Sequence, residues 1–179
     1  MTAPVPAAAR QAAPPLRRRL ACFLYEGVLL FGVTFTAALI YSVAVGQHHA
    51  LQGRTGLAAV LFVVAGIYFV WLWTRSGQTL AMQTWHIRVL TVDGQPLGPG
   101  RAIARFACSW VWFVPPLLAV WQFGLTHSGG IIFAAVAGWV LFYAALSFAH
   151  PRRQYWHDAL CGTQLVTWRP ALPASRAGA

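Results

Sequence analysis

The chain contains no lysine and only three acidic residues, Glu26, Asp93 and Asp158. Charged residues make up 9% of its 179 positions, against about 25% in a soluble domain, and that deficit excludes an ordinary water-soluble globule. Cysteine is also scarce. Cys22, Cys108 and Cys161 are an odd number without paired or metal-like spacing, so neither a disulfide framework nor a zinc site is implied. Free thiols inside apolar runs behave as small hydrophobes. A nucleophile set in a recognisable motif is missing as well: Ser76, Thr79 and Cys161 lack one, which removes a hydrolase reading.

What is present is hydrophobicity and arginine. Hydrophobic residues account for 58% of the chain, and the mean hydropathy is +0.58. All thirteen basic residues are arginine, giving a formal net charge of +10. The arginines lie beside apolar runs, where they set orientation and meet anionic headgroups, so nucleic acid is not an expected partner.

Four apolar runs of membrane-crossing length are expected, over about 20–46, 56–74, 106–124 and 130–149. The first follows Arg17, Arg18 and Arg19, but a secretory core is only about 7–15 residues, so this run reads as a span and not a leader. The domain expected is 17–168, flanked by disordered tails at 1–16 and 169–179. Twelve arginines fall in the N-terminal segment, the central loop and the C-terminal tail, and one, Arg54, falls in the two remaining links. That bias predicts both termini and the central loop on the cytoplasmic side of a bacterial inner membrane. Tyr68, Trp71 and Trp73 read as an inner aromatic belt, and Trp121 as its outer counterpart.

The one long polar stretch between spans, Arg75 to Arg105, holds a β-branched and aromatic run, WHIRVLTV, then Asp93-Gly94 and Pro96 as turn signals. A second strand candidate, TQLVTW, stands in the tail. An isolated strand would leave its backbone groups unpaired, so the two are expected to pair. The fold class predicted is an α-helical integral membrane protein with four transmembrane helices. A small cytoplasmic β pairing is formed by the central loop and the C-terminal tail.

Three motifs in this order carry a resemblance: RRLACFLYE, with Arg19 and Glu26; SGQTLAMQTWHIRVLTVDGQPL, with Gly77, Gln78 and Thr79; and YWHDALCGTQLV, with His157, Asp158, Gly162 and Thr163. Over roughly residues 17–168 the chain resembles the RDD family of bacterial inner-membrane proteins, named for one arginine and two acidic positions. Glu26 stands where the family usually has aspartate, and Ala81, Met82 and Gln83 stand where it tends to have Gly-Lys. The resemblance implies a multi-pass membrane protein with a transport-type role.

Glu26 lies six residues into the first run, about 9 Å deep at 1.5 Å per residue. An ionisable group there costs about 2.5–3.5 kcal/mol on insertion scales and needs a partner. It either lines a polar path, exchanging a proton or cation, or ties helices together through an arginine or the backbone of the cap. Arg19, seven residues earlier, shares its helix face at about 10 Å along the axis. Asp158 is expected to cap or salt-bridge the loop, and His157 beside it could do proton chemistry. Gly77-Gln78-Thr79 reads as a helix C-cap. Pro115-Pro116 should kink the third span and free carbonyls near Val111 and Trp112, as a packing kink or a broken transporter helix. His48, His49 and His127 lack anything that fixes a metal geometry.

These features predict a non-enzymatic membrane protein without cofactor or bound metal. Its expected partners are the lipid bilayer, anionic lipid at the arginine-rich cytoplasmic face, and further copies of itself or another membrane protein. Function is expected in one of two forms: ion or small-solute transport using the intramembrane carboxylate, or a non-catalytic scaffold or accessory role. A single four-span protomer has little room for a private pathway, so transport would call for an oligomer.

Overall fold

The structure is a computed structural model that describes residues 13–46 and 54–168. The expected tails up to residue 12 and from residue 169, together with His48 and His49, lie outside the described residues. The first helix, α1, spans Leu16–Ala44. It starts four residues earlier than the apolar run, and Pro14 before it is fully buried. Residues 13–16 therefore belong to the fold and not to a tail. At 29 residues α1 is about 44 Å long, ample for a hydrocarbon core of about 30 Å. The second helix, α2, spans Arg54–Arg75.

A short helix α3 (Leu80–Thr84) and strand β1 (Ile87–Thr91) follow. Next come α4 (Pro99–Ser109), a 3-10 turn at Trp110–Trp112, and α5 (Val114–Gln122). Then α6 (Gly129–Ala145) runs into a 3-10 turn at Leu146–Phe148, and α7 (Trp156–Leu160) leads to strand β2 (Thr163–Thr167). Among the described residues three helices are long and apolar enough to cross a membrane, and α4 with α5 makes a fourth if the bent pair is one span.

Of the two forms expected for the third run at Pro115-Pro116, a packing kink or a broken helix, the structure has the break. Its two parts meet at 41°, and Pro115-Pro116 sits in the first turn of α5, where missing N–H groups cost nothing. The carbonyl of Val111, which an unbroken helix would have bonded to residue 115, accepts the Trp139 indole N–H at 2.8 Å. A side chain from α6 thus satisfies the group that the proline leaves open.

Outward faces of the long helices are apolar. On α1, Leu24, Val28, Phe31 and Phe35 recur at helical spacing and are each at least 60% exposed. In water such a stripe would be an aggregation liability, and against hydrocarbon it is the expected surface. The buried core lies at one end instead, where the start of α1, the end of α2, the start of α4 and the end of α6 converge on the cap. There β1 and β2 pair antiparallel, from Ile87 opposite Thr167 to Thr91 opposite Thr163. A two-stranded ribbon alone is marginal. This one is held by burial of Ile87, Val89 and Val166, each contributing about 1.5–3 kcal/mol of apolar transfer.

Arg18 joins the first helix to both strands' ends, donating to the His86 carbonyl at 3.2 Å and the Thr167 hydroxyl at 2.7 Å. Gly77 joins α2 to β1: its carbonyl accepts from Val89 N–H at 2.8 Å, and its φ of +71° places it in the left-handed region. A Cβ there would lie 2.8 Å from the Val89 carbonyl oxygen. Gly77→Ala should therefore lower stability by at least about 1–2 kcal/mol, the cost of a left-handed non-glycine residue. Gly100, inside α4 with open space around it, is the control. Gly100→Ala should be neutral or raise stability by up to about 1 kcal/mol. Thermal unfolding of the detergent-solubilised variants checks both.

Candidate functional site

On α1, Arg19, Cys22, Phe23, Glu26 and Leu30 fall on one face, the spacing of successive helical turns. All five line a cavity of about 540 Å³ between α1, α2 and α4, closed at one end by the cap. Thr79, Arg105 and His157 are polar members of the lining, and Phe62, Phe69, Ile87 and Trp110 contribute to the apolar walls. The volume lies within the about 300–1,000 Å³ typical of ligand sites.

Glu26 is held by two hydroxyls. Its Oε1 accepts from Tyr68 of α2 at 2.7 Å, and its Oε2 accepts from Thr79. Thr79 Oγ1 also accepts from Met82 N–H at 3.2 Å and so caps α3. A hydroxyl has one proton and two lone pairs, so Thr79 serves both contacts at once. The Glu26 carboxylate thereby links α1, α2 and the cap without an arginine in direct contact. Among the described residues the ion pairs are Arg105–Asp158 and, if the imidazole is charged, His157–Asp158.

Arg19 is 4% exposed. Its guanidinium lies 4.5 Å over the Tyr155 ring and donates one hydrogen bond from Nη2 to Ser147 Oγ, at 3.3 Å. Its Nε and Nη1 are buried without a hydrogen-bond partner, as is the indole N–H of Trp73.

Asp158 is fully buried. Its Oδ1 accepts from Arg105 Nε at 2.7 Å and lies 3.3 Å from the Thr163 hydroxyl, and Arg105 stacks 4.1 Å over the Trp73 ring. Burial pushes the carboxyl's pKa up. Arg105, His157 and the hydrogen bonds from Arg105 and Thr163 outweigh it, leaving the carboxyl below its ordinary value.

His157 is fixed by Tyr143 of α6, whose hydroxyl accepts the His157 backbone N–H at 3.0 Å and lies 2.9 Å from Nδ1. The hydroxyl proton then goes to Nδ1, which leaves the ring proton on Nε2 facing Asp158 Oδ1 at 3.6 Å. Burial pushes the imidazole down to about 4, with Asp158 pulling up and Arg105 pushing further down.

Each motif position has a definite place. Gly77 turns the chain at the end of α2, and Gln78 Nε2 donates to the Ile87 carbonyl at 2.6 Å. Gly162, at φ +63°, turns α7 into β2, and Thr163 Oγ1 lies 3.1 Å from the Asp158 carbonyl. Arg19 and Glu26 share the cavity, while Asp158 stands behind Arg105 and outside its lining. His127, at the opposite end, is exposed and contacts the Gly124 carbonyl. Among the described residues no group of three or more His, Cys, Asp or Glu could hold a metal.

Sequence reasoning overlooked several residues. Tyr68 and Trp73 were read as interfacial belt: Tyr68 is half-buried and binds Glu26, Trp73 is buried under Arg105, and Trp71 is 58% exposed. Tyr68 carried a usable signal, a hydroxyl midway in an apolar run that needs a partner. Gln154 carried none. It exchanges two hydrogen bonds with Leu165, extending the ladder beyond β2.

The architecture is that of a small helical protein with three or four candidate membrane spans, a two-stranded cap and a charged core beneath it. The RDD family model matches residues 13–162. The chain belongs to the RDD family. No curated protein and no solved structure matches it.

Two outcomes follow from the cap's electrostatics. Arg105→Ala or Asp158→Ala leaves a buried charge unpaired and should cost about 3–5 kcal/mol, while the double variant should lose less than the sum. Denaturation in detergent measures all three. The second concerns His157, which is packed against Tyr143, Tyr155, Trp112, Asp158 and Arg105. Its folded pKa of about 4 lies below the ordinary imidazole value of 6.5, so the unfolded chain takes up the proton first. Its contribution to stability is complete above about pH 6.5 and is lost as pH falls toward about 4. The melting temperature should fall across that window, and His157→Gln should remove most of the fall.

Proposed function

We propose that this RDD-family chain is a multi-pass inner-membrane protein with both termini and the cap on the cytoplasmic side. It acts without catalysis in the transport of an ion or small solute, and Glu26 is the charge-bearing residue of the pathway. The observation that carries the reading is the cavity itself. A 540 Å³ space between apolar helices has Glu26, Arg19 and Arg105 in its wall, and ionisable groups at that depth are costly unless they are used or tied. The orientation rests on the arginine count, since the arginine-bearing segments meet at the cap.

Glu26 is also tied, through Tyr68 and Thr79. Displacing either hydroxyl frees a carboxylate oxygen for a cation or proton, and the Thr79 bond connects that event to the cap. A second reading, an accessory protein that holds anionic lipid, is favoured by the exposure of Arg17, Arg75, Arg101 and Arg152 around the cap.

Flux in proteoliposomes separates the two. The wild-type protein should support pH- or cation-dependent flux, and Glu26→Gln should reduce it at least about tenfold, or about 1.4 kcal/mol in barrier. Glu26→Gln must stay folded by size-exclusion profile for the comparison to count. Wild-type flux no greater than that of empty vesicles, or unchanged flux in the variant, would overturn transport through Glu26.

A further inference from the structure

The hydrogen-bonding groups of the residues that line the cavity are unevenly supplied. Both oxygens of Glu26, the carboxylate in its wall, are already used by Tyr68 and Thr79. The unused groups include three donors: Arg19 Nε, Arg19 Nη1 and Trp73 Nε1. Arg19 and Trp73 are each 4% exposed and both line the cavity. The Tyr155 hydroxyl, also in the lining, is unpartnered too. Asp158 Oδ2 is an unpartnered acceptor, but it is outside the lining. Buried donors without acceptors cost free energy, and an acceptor brought into this cavity would recover it.

The rest of the cavity fits a different kind of group. Beyond the Arg19 end its wall is formed by residues such as Phe23, Leu30, Leu61 and Phe69. Leu24, Phe62 and Phe113 line it too and are themselves 69%, 48% and 37% exposed, so the cavity opens sideways onto the apolar surface of the helices. Gly27 lies in the wall with open space where a side chain would project.

We infer that the cavity binds an amphipathic anion drawn from the bilayer, its carboxylate or phosphate head on Arg19 and its apolar tail along α1 and α2 toward the lateral opening. The inference rests on the proposal that this cavity is the functional site and names the class of molecule it takes. A guanidinium held over the Tyr155 ring with two free N–H edges suits an oxyanion, and the apolar wall suits a chain. A helix from a second copy would fill the apolar part and leave the Arg19 donors unmet, which is why charge favours the anion.

Dibromostearic acid tests this, because bromine on the tail quenches Trp110 and Trp112 in the lining. Purified protein in zwitterionic nanodiscs should be quenched saturably by the acid, and dibromostearyl alcohol should bind at least about tenfold more weakly, since a hydrogen bond to a charged group is lost. Arg19→Gln should abolish the difference between acid and alcohol, and Arg19→Lys should restore part of it. Should Arg19→Gln fail to fold, Gly27→Leu offers a second route, filling the wall without displacing backbone. It should weaken acid binding at least about tenfold with an unchanged melting temperature.

Equal binding of acid and alcohol by the wild type, undiminished binding by Gly27→Leu, or quenching lost only when protomers associate would each overturn the inference. Acid binding without flux would leave the ligand class standing and remove transport. Glu26-dependent flux without acid binding would do the reverse.

Discussion

Asp158 can be fully buried only because Arg105 reaches it, and the cap's geometry follows from that contact. The pair fixes α4 against α7, because a lone carboxylate at zero exposure would cost several kcal/mol. Arg105 in turn lies over Trp73, which anchors the end of α2. Thr163, bonded to the same aspartate, sets where β2 begins and so the register in which it meets β1. One ion pair therefore positions parts of four elements.

Beneath the cap the polar groups divide into two kinds. Asp158 Oδ1, His157 and Glu26 have partners on separate elements, and those bonds hold the structure together. Arg19 is different. It is anchored at one nitrogen by Ser147 and from one face by Tyr155, with Nε and Nη1 buried and unpartnered. The contrast gives the two charged residues of α1 different work, although they share a face seven residues apart. The carboxylate has a hydroxyl partner on each oxygen, and the guanidinium keeps two nitrogens without one.

Much of the architecture was legible because it depends on local pattern. Apolar runs mark α1, α2 and α6, and β-branched and aromatic stretches beside turn residues mark β1 and β2, whose pairing is then the economical arrangement. In the third run the prolines marked the bend and the freed Val111 carbonyl, but no hydropathy window shows that Trp139 will satisfy that carbonyl. A bridge from Asp158 to the loop was expected, but which residue each charge meets was beyond sequence reasoning for a related reason. Glu26 meets Thr79 and Arg105 meets Asp158 across 53 residues each, and no spacing rule reaches that far. Tyr68 and Trp73 were read as belt residues because aromatic composition near a helix end does not say which way a ring faces.

The bonds from Arg18 to Thr167 and to the His86 carbonyl have a consequence for the order of assembly. The hydroxyl partner lies 149 residues downstream of the arginine. At about 5–20 residues per second of synthesis, the first helix waits roughly 7–30 s before the strand that clasps it exists. Until then nothing from β2 holds α1 in its final rotation. The earliest part of the chain is thus among the last to be locked, and the finished strand acts as the latch.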